Sequence, residues 1–355
     1  MDLAVLLPAL TSILAFVFSA ALFDQWLERR RGFQLTWALG MLFFGIASGC
    51  EAIGAALGWN DAVYRTWYLT GAVWTAAWLG LGTALLLGRT RFGYAYAALV
   101  LLGGLITFFA RNRYPDAGSL AALLLIGALV VALAIAVETY FQNERWPQIA
   151  ALAVIAASAV AAVFAFTQPL IGGGVALDPQ TQIPTGEAIP HSERLMSLLL
   201  NIPGGLSLAL GALFSAYIFM PKRRALDYSL DPGQPGDQFM FNIFLAVVAI
   251  PVNFLVSLPG AVMALVTGRI HSRVPATLLI GFGAIVASST DALSRLGSTD
   301  LFQVGKFVGV VLIFAGFLVS IEAFREIRIP FTGRVLRAGR QERVAHTGSI
   351  ANRGS

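Results

Sequence analysis

The sequence predicts an all-α fold: a polytopic transmembrane helix bundle of about nine spanning helices, plus one further apolar segment that re-enters or breaks. Three observations carry that prediction. Of 355 residues, 57% are hydrophobic and 12% charged, with a mean hydropathy of +0.75, against about 25% charged in ordinary soluble domains. Apolar runs long enough to cross the hydrocarbon core recur along the chain. The loops between them carry arginines in clusters, as loops on the cytoplasmic side of a membrane do.

The first run, 3–23, follows Met1 and Asp2 with no positive n-region, and no small-residue cleavage site precedes Arg29, Arg30 and Arg31. It reads as a retained helix, not a signal peptide. The Arg cluster places its end inside and the N-terminus outside. Runs 35–58 and 66–88, joined by the polar turn 59–65, go out and return to Arg89 and Arg91. Run 94–110 goes outward to a turn with Pro115 and Asp116, 120–141 returns to Glu144 and Arg145, and 146–167 goes out again. Residues 168–193, rich in Gly, Pro and Thr, form a loop of a length that is usually functional or disordered. Run 195–220 carries Pro203, Gly204 and Gly205, where a kink is expected, and ends at Lys222, Arg223 and Arg224. The short loops then hold nine Lys and Arg inside (29, 30, 31, 89, 91, 145, 222, 223, 224) and four outside (65, 111, 113, 194).

The domain reading is a seven-helix bundle over 1–224, a cytoplasmic connector over 225–238, a C-terminal part over 239–324, and a basic, disordered cytoplasmic tail over 325–355. The C-terminal part has three apolar runs, 239–266, 275–296 and 301–324. If all three crossed, a tail with seven Arg and two Glu would lie outside, against the charge rule. Run 239–266 is therefore expected not to cross. Pro251 and Pro259, on either side of Asn253, break a straight helix and suit a re-entrant hairpin; ten spans is the alternative.

Chemistry is sparse. Glu51 sits within about two turns of the outer end of its helix, and a bare charge at the centre of a membrane helix costs about 2.5–3.5 kcal/mol on insertion scales. It therefore faces protein or water. The ligand- or ion-binding reading combines Glu51 and Arg65 with the break at Pro251, Asn253 and Pro259. The plain alternative makes Glu51 a partner of Arg65 or an interfacial group. Asp291 and Arg295, spaced i to i+4, read as a structural ion pair. Lys306, one turn into its helix, is expected to snorkel to the interface, and Glu138 and Glu322 to be solvated at inner boundaries. A last-helix lysine invites comparison with microbial rhodopsins, but it stands near a helix end among ten apolar runs. Gly45 with Gly49, and Gly305 with Gly309, have the spacing of close-packed helix interfaces. Trp67, Tyr68, Trp74 and Trp78 combine interface anchoring with a Trp-rich face.

One cysteine, Cys50, and three histidines leave no ligand set for a metal, haem or iron–sulfur cluster. No metal and no cofactor are expected. The net charge of +5 equals that of the tail alone, so nucleic acid is not an expected partner. No Ser-His-Asp arrangement, HExxH, P-loop or GxGxxG occurs, which argues against an enzyme.

The runs Ala62-Val63-Tyr64-Arg65-Thr66-Trp67-Tyr68-Leu69, Ala77-Trp78-Leu79-Gly80-Leu81-Gly82-Thr83 and Ile313-Phe314-Ala315-Gly316-Phe317-Leu318-Val319-Ser320 resemble a set of uncharacterised bacterial multipass membrane proteins. The resemblance implies a bacterial inner membrane location and no activity, so no site residue is carried over. The expected partners are membrane lipids, with other membrane subunits or further copies of the chain. The expected function is that of a non-catalytic accessory subunit or assembly partner, with a small-solute or ion transporter as the alternative.

Overall fold

The first two apolar runs close into a hairpin on small and hydroxyl side chains. The computed structural model describes residues 3–142, 144–179, 182–231, 233–267, 273–295, 301–319, 326–328 and 335–338; side chains at 265, 266, 273, 290–295 and in the last two segments lie outside that description. In α1 (Leu3–Arg29) and α2 (Gly32–Leu57), Ser12 Oγ donates to Gly45 O at 2.8 Å and Ser19 Oγ to Ala38 O at 2.7 Å. A side chain at Gly45 would meet the Phe16 ring at 2.9 Å, and one at Gly49 would meet Ser12 Oγ at 3.2 Å. Both glycines thus serve contact within the chain. Lipid is as apolar as leucine, so close backbone approach, not burial of oil, joins such helices.

Asn60 caps α3 (Asp61–Trp67), its side chain accepting from Val63 N at 3.0 Å. The helix continues through a π-helical stretch, Tyr68–Thr75, into α4 (Ala76–Leu86). Thr75 Oγ1 donates to Thr70 O at 2.7 Å, one residue further back than in an α-turn. The wider turn turns Ala72 O outward, where it accepts from Ser197 Oγ at 2.6 Å and from Asn201 Nδ2. Those two donors belong to α8 (His191–Phe219), which touches α4, α5 (Phe92–Phe109) and α10 (Arg273–Arg295). Where α4 crosses α8, a Cβ on Gly204 would stand 2.5 Å from Ala76 O. Pro203 is accommodated inside α8, against Gly103 of α5. Helices α6 (Gly118–Tyr140) and α7 (Trp146–Thr167) complete this part.

The C-terminal pair is not a separate unit. Helices α10 and α11 (Phe302–Val319) meet at Gly283 and Gly309, where a Cβ on either would stand less than 3 Å from the other's carbonyl oxygen. Ile280, Ala284, Val310 and Phe317 share one apolar core with Phe18, Trp37, Leu79 and Leu208 of the first part. Trp37, near the start of α2, packs edge-on to Phe317, near the end of α11, at 5.0 Å, and Glu51 near the end of α2 meets Lys306 near the start of α11, so the two run antiparallel.

Nine helices among the described residues are long and apolar enough to cross a membrane, Gly236–Ala264 included, while Val274–Ser289 is shorter. Position sorts the last two differently. Helix α9 (Gly236–Val266) has 31 residues, about 46 Å at 1.5 Å per residue. At its start Phe239 meets the rings of Tyr94 and Tyr140 at 6.0 and 5.4 Å, in the first turn of α5 and at the end of α6. Towards its other end Ala261 and Phe254 pack with Tyr217, Met220 and Val274, at the end of α8 and the start of α10. These helix ends lie together: Phe92 meets Phe214 at 5.8 Å, and Arg91 donates to Thr139 O at 3.0 Å. Both parts of α9 therefore touch the end of the bundle that carries Arg89, Arg91, Arg145 and Lys222.

Segment 239–266, expected not to cross, is long and apolar enough to do so, and it is not a hairpin. Pro251 and Pro259 are inside one continuous helix, both on its exposed side, and the backbone passes through them. After the last helix two short antiparallel strands, Glu326–Arg328 and Val335–Ala338, pair; the rest of the tail expected to be disordered lies outside the described residues.

Candidate functional site

The last turns of α2, the end of α3 and the first turns of α11 bring four side chains together. Glu51, the carboxylate that the sequence singles out, is 2% exposed. Its Oε1 accepts from Trp67 Nε1 at 2.7 Å and from Lys306 Nζ at 2.6 Å, and its Oε2 accepts from Gln303 Nε2 at 3.0 Å. Gln303 and Lys306, three residues apart, share the face of α11 that meets α2. The ammonium also stands 4.9 Å from the centre of the Phe302 ring and 5.5 Å from that of Phe44, within cation–π range.

Two expectations are corrected here. Lys306 does not snorkel: it is 8% exposed, because the antiparallel placement of α11 sets it opposite a buried carboxylate, and two paired charges cost less in hydrocarbon than either alone. Arg65 is not the partner of Glu51. Its Nε donates to both carboxylate oxygens of Asp61 at 3.0 Å, and its Nη1 to Ala165 O and, at 2.6 Å, to Gln168 O. Those carbonyls close the end of α7, where a cation is favoured.

Near Arg65 is a residue that the sequence reading left at a loop boundary. Glu193, in the first turn of α8, is fully buried, and neither of its carboxylate oxygens has a hydrogen-bond partner among the described residues. Arg65 is its charged neighbour. An acid just after Pro190 is a helix-start signal, and it marks Glu193 as helical even if not as buried. The loop before it is ordered: Ile171 N donates to Ala188 O at 2.7 Å, Tyr64 Oη to Thr185 O, and Ser192 Oγ to Gln168 Oε1. His191 pairs with Asp116 at 2.7 Å and stacks on Tyr114 at 4.6 Å.

No family model, curated protein or solved structure matches the chain. The site is therefore read from its own geometry.

That geometry scatters the residues expected to bind a solute. Asn253 lies at the opposite, basic end, where its Oδ1 accepts from Ala225 N at 2.8 Å and Leu226 N at 3.0 Å, and its Nδ2 donates to Leu226 O at 2.7 Å. It holds the connector, and Pro251 and Pro259 face away from it. Asp291 and Arg295 lie on α10, outside the described side chains. Gly305 is buried and Gly309 meets α10, so this pair also serves the chain itself. The Trp-rich face is taken up internally, with Trp74 Nε1 donating to Ser158 O and Trp78 Nε1 to Ser158 Oγ, both at 3.2 Å. Glu138 departs from its expected solvation, since its Oε2 is buried with no partner among the described residues; Glu322 lies outside them. An open polar cleft of about 330 Å³ at the basic end is lined by Arg89, Arg91, Thr139 and Glu144, with Arg89 paired to Glu144 at 3.2 Å.

Chemically, the Glu51 cluster is a buried ion pair with no net charge and each carboxylate oxygen occupied. Such an arrangement fixes helices. It offers no exposed nucleophile, acid or base.

Proposed function

We propose that the chain is a non-catalytic integral protein of the bacterial inner membrane, with its N-terminus outside and its tail in the cytoplasm, acting as an accessory subunit or assembly partner of a larger membrane complex. The observation that carries this reading is that Glu51 is saturated by Trp67, Gln303 and Lys306 of its own chain, while Arg65 and Asn253 are engaged with backbone at opposite ends. A path for polar solutes needs polar groups that face one another across a channel, and these do not. The test is purification from native membranes in mild detergent followed by native mass spectrometry. Stoichiometric partner proteins support the reading; a lone chain or a homo-oligomer in every preparation counts against it.

A second reading, ion or proton translocation, draws on Glu193. A buried acid with unpartnered oxygens beside an arginine is a usual mark of proton and ion paths. Proteoliposomes loaded with a pH-sensitive dye separate the two: a proton leak that Glu193→Gln abolishes favours translocation, and tight vesicles favour the accessory role.

A further inference from the structure

We propose that α9 is embedded in the leaflet at the basic end of the bundle, lying in its plane, and that the helix and its flanking cations hold anionic phospholipid. That placement leaves the outward face of α9 without a protein partner among the described residues, and past its first turn, which holds Asp237 and Gln238, that face is apolar. Met240, Phe241, Phe244, Val248, Leu255 and Val262 are all more than half exposed. No charged residue occurs between Asp237 and Arg269. A water-facing helix carries charge on its outer face, and monomeric proteins seldom expose apolar patches beyond a few hundred Å². Acyl chains are the solvent that suits this face.

The inner face supplies an independent argument. The connector after α8 is irregular backbone, and α9 satisfies it with side chains. Arg223 N donates to Ser257 Oγ at 2.9 Å, Ala225 N and Leu226 N donate to Asn253 Oδ1, and Ser229 N donates to Asn242 Oδ1 at 3.2 Å. In water such groups are satisfied by solvent. Irregular backbone at membrane depth must find its partners in protein, and the three polar residues of α9 beyond its first turn provide them.

Charge complementarity selects the lipid. Exposed Lys222, Arg223 and Arg224 stand where the connector meets Ser257, and the cleft with Arg89 and Arg91 lies near Phe239 at the other end. Cations thus stand beside the apolar face near its start and along its second half, Arg89 with Glu144 as a neighbour. Phosphate headgroups over those cations, with their chains along α9, satisfy both chemistries, as in interfacial helices with basic flanks.

The test uses the full chain with Cys50→Ser and single nitroxide-labelled cysteines at Met240, Phe244, Leu255 and Val262, in vesicles of phosphatidylcholine with a minority of phosphatidylglycerol. Power saturation by oxygen and by a water-soluble nickel chelate reads label depth. All four labels at one shallow depth, open to oxygen and shielded from nickel, are expected. Full access to nickel, or burial from both agents in a dimer, overturns the proposal. Phosphatidylglycerol retained in native mass spectra is then compared with the variant Lys222→Gln/Arg223→Gln/Arg224→Gln. Retention should fall on the order of fivefold per charge removed; equal retention of both lipids by the two proteins removes the anionic part of the claim and overturns it as stated.

Discussion

Replacing Lys306 by Met takes the ammonium away from a carboxylate that has nowhere to go. Glu51 is 2% exposed and Lys306 8%, so water does not screen the change as it would for a surface pair. Removing one member of a buried pair costs about 3–5 kcal/mol in soluble proteins. The lower figure applies here, because a chain unfolded in a micelle finds other partners for its polar groups. About 3 kcal/mol is a large share of the 5–15 kcal/mol that folded domains typically hold. Glu51→Gln should cost a similar amount, since it keeps an acceptor for Trp67 Nε1 but strands the ammonium between Phe44 and Phe302. The double variant Glu51→Gln/Lys306→Met strands neither charge. Its loss should fall short of the sum of the two single losses by at least about 2 kcal/mol, well beyond the ~0.5 kcal/mol scatter of independent sites. Cys50, the sole cysteine, is 8% exposed, so a thiol-reactive fluorogenic dye reports unfolding in detergent. Additive losses across the cycle would refute the pair as the clamp between α2 and α11.

Other sites give sharper or milder effects. Asn253→Ala leaves two backbone N–H groups and one carbonyl of the connector unpaired, at about 1–3 kcal/mol for each group that stays buried; limited trypsin digestion should then cut at Lys222 to Arg224 while the bundle persists, and unchanged resistance argues against the tether. Gly204→Val drives a branched side chain against Ala76 O, so folded yield should collapse, whereas Gly174→Ala, in open space, should express normally; equal yields would deny the close approach of α4 and α8. Glu193→Gln replaces a buried carboxyl whose oxygens have no described partner, and thermal stability should rise or stay level; a clear fall would mean that Arg65 holds the carboxyl more strongly than the geometry implies. Asp61→Asn should cost less than about 1 kcal/mol, because Asp61 is 64% exposed and its ion pair with Arg65 is half in water.

What the sequence disclosed follows from what periodicity and charge can report. Apolar length marked the helices, and Arg clusters marked one end. A carboxylate in an apolar run marked Glu51. The identity of its partner was out of reach, because Lys306 is 255 residues away and nothing local distinguishes an ammonium that snorkels from one that pairs. The π-helical turn at Tyr68–Thr75 left no trace either, since the donors that meet its Ala72 carbonyl, Ser197 and Asn201, are far along the chain on α8. The glycine spacings announced close contact but not its direction; in a membrane, an interface within the chain and one with a partner use the same small residues. Two prolines misled most, since breakage was inferred from their chemistry alone, and α9 passes through both.

The topology itself rests on α9. If it lies across the basic end, the chain crosses nine times, and the last helix ends on the side of Arg89, Arg145 and Lys222. If it crosses, Ser229 and Thr267, which bracket α9, lie on opposite faces of the membrane. Single cysteines at these positions in the Cys50→Ser background, probed with a membrane-impermeant maleimide in right-side-out and inside-out vesicles, decide between them. The contacts of Phe239 with Tyr140 and of Ala261 with Met220 require both cysteines to react from the same side, that of a third at Gln142. Reaction of the Thr267 cysteine from the opposite side would mean that α9 crosses, and the tail would then lie with the N-terminus, against its seven arginines.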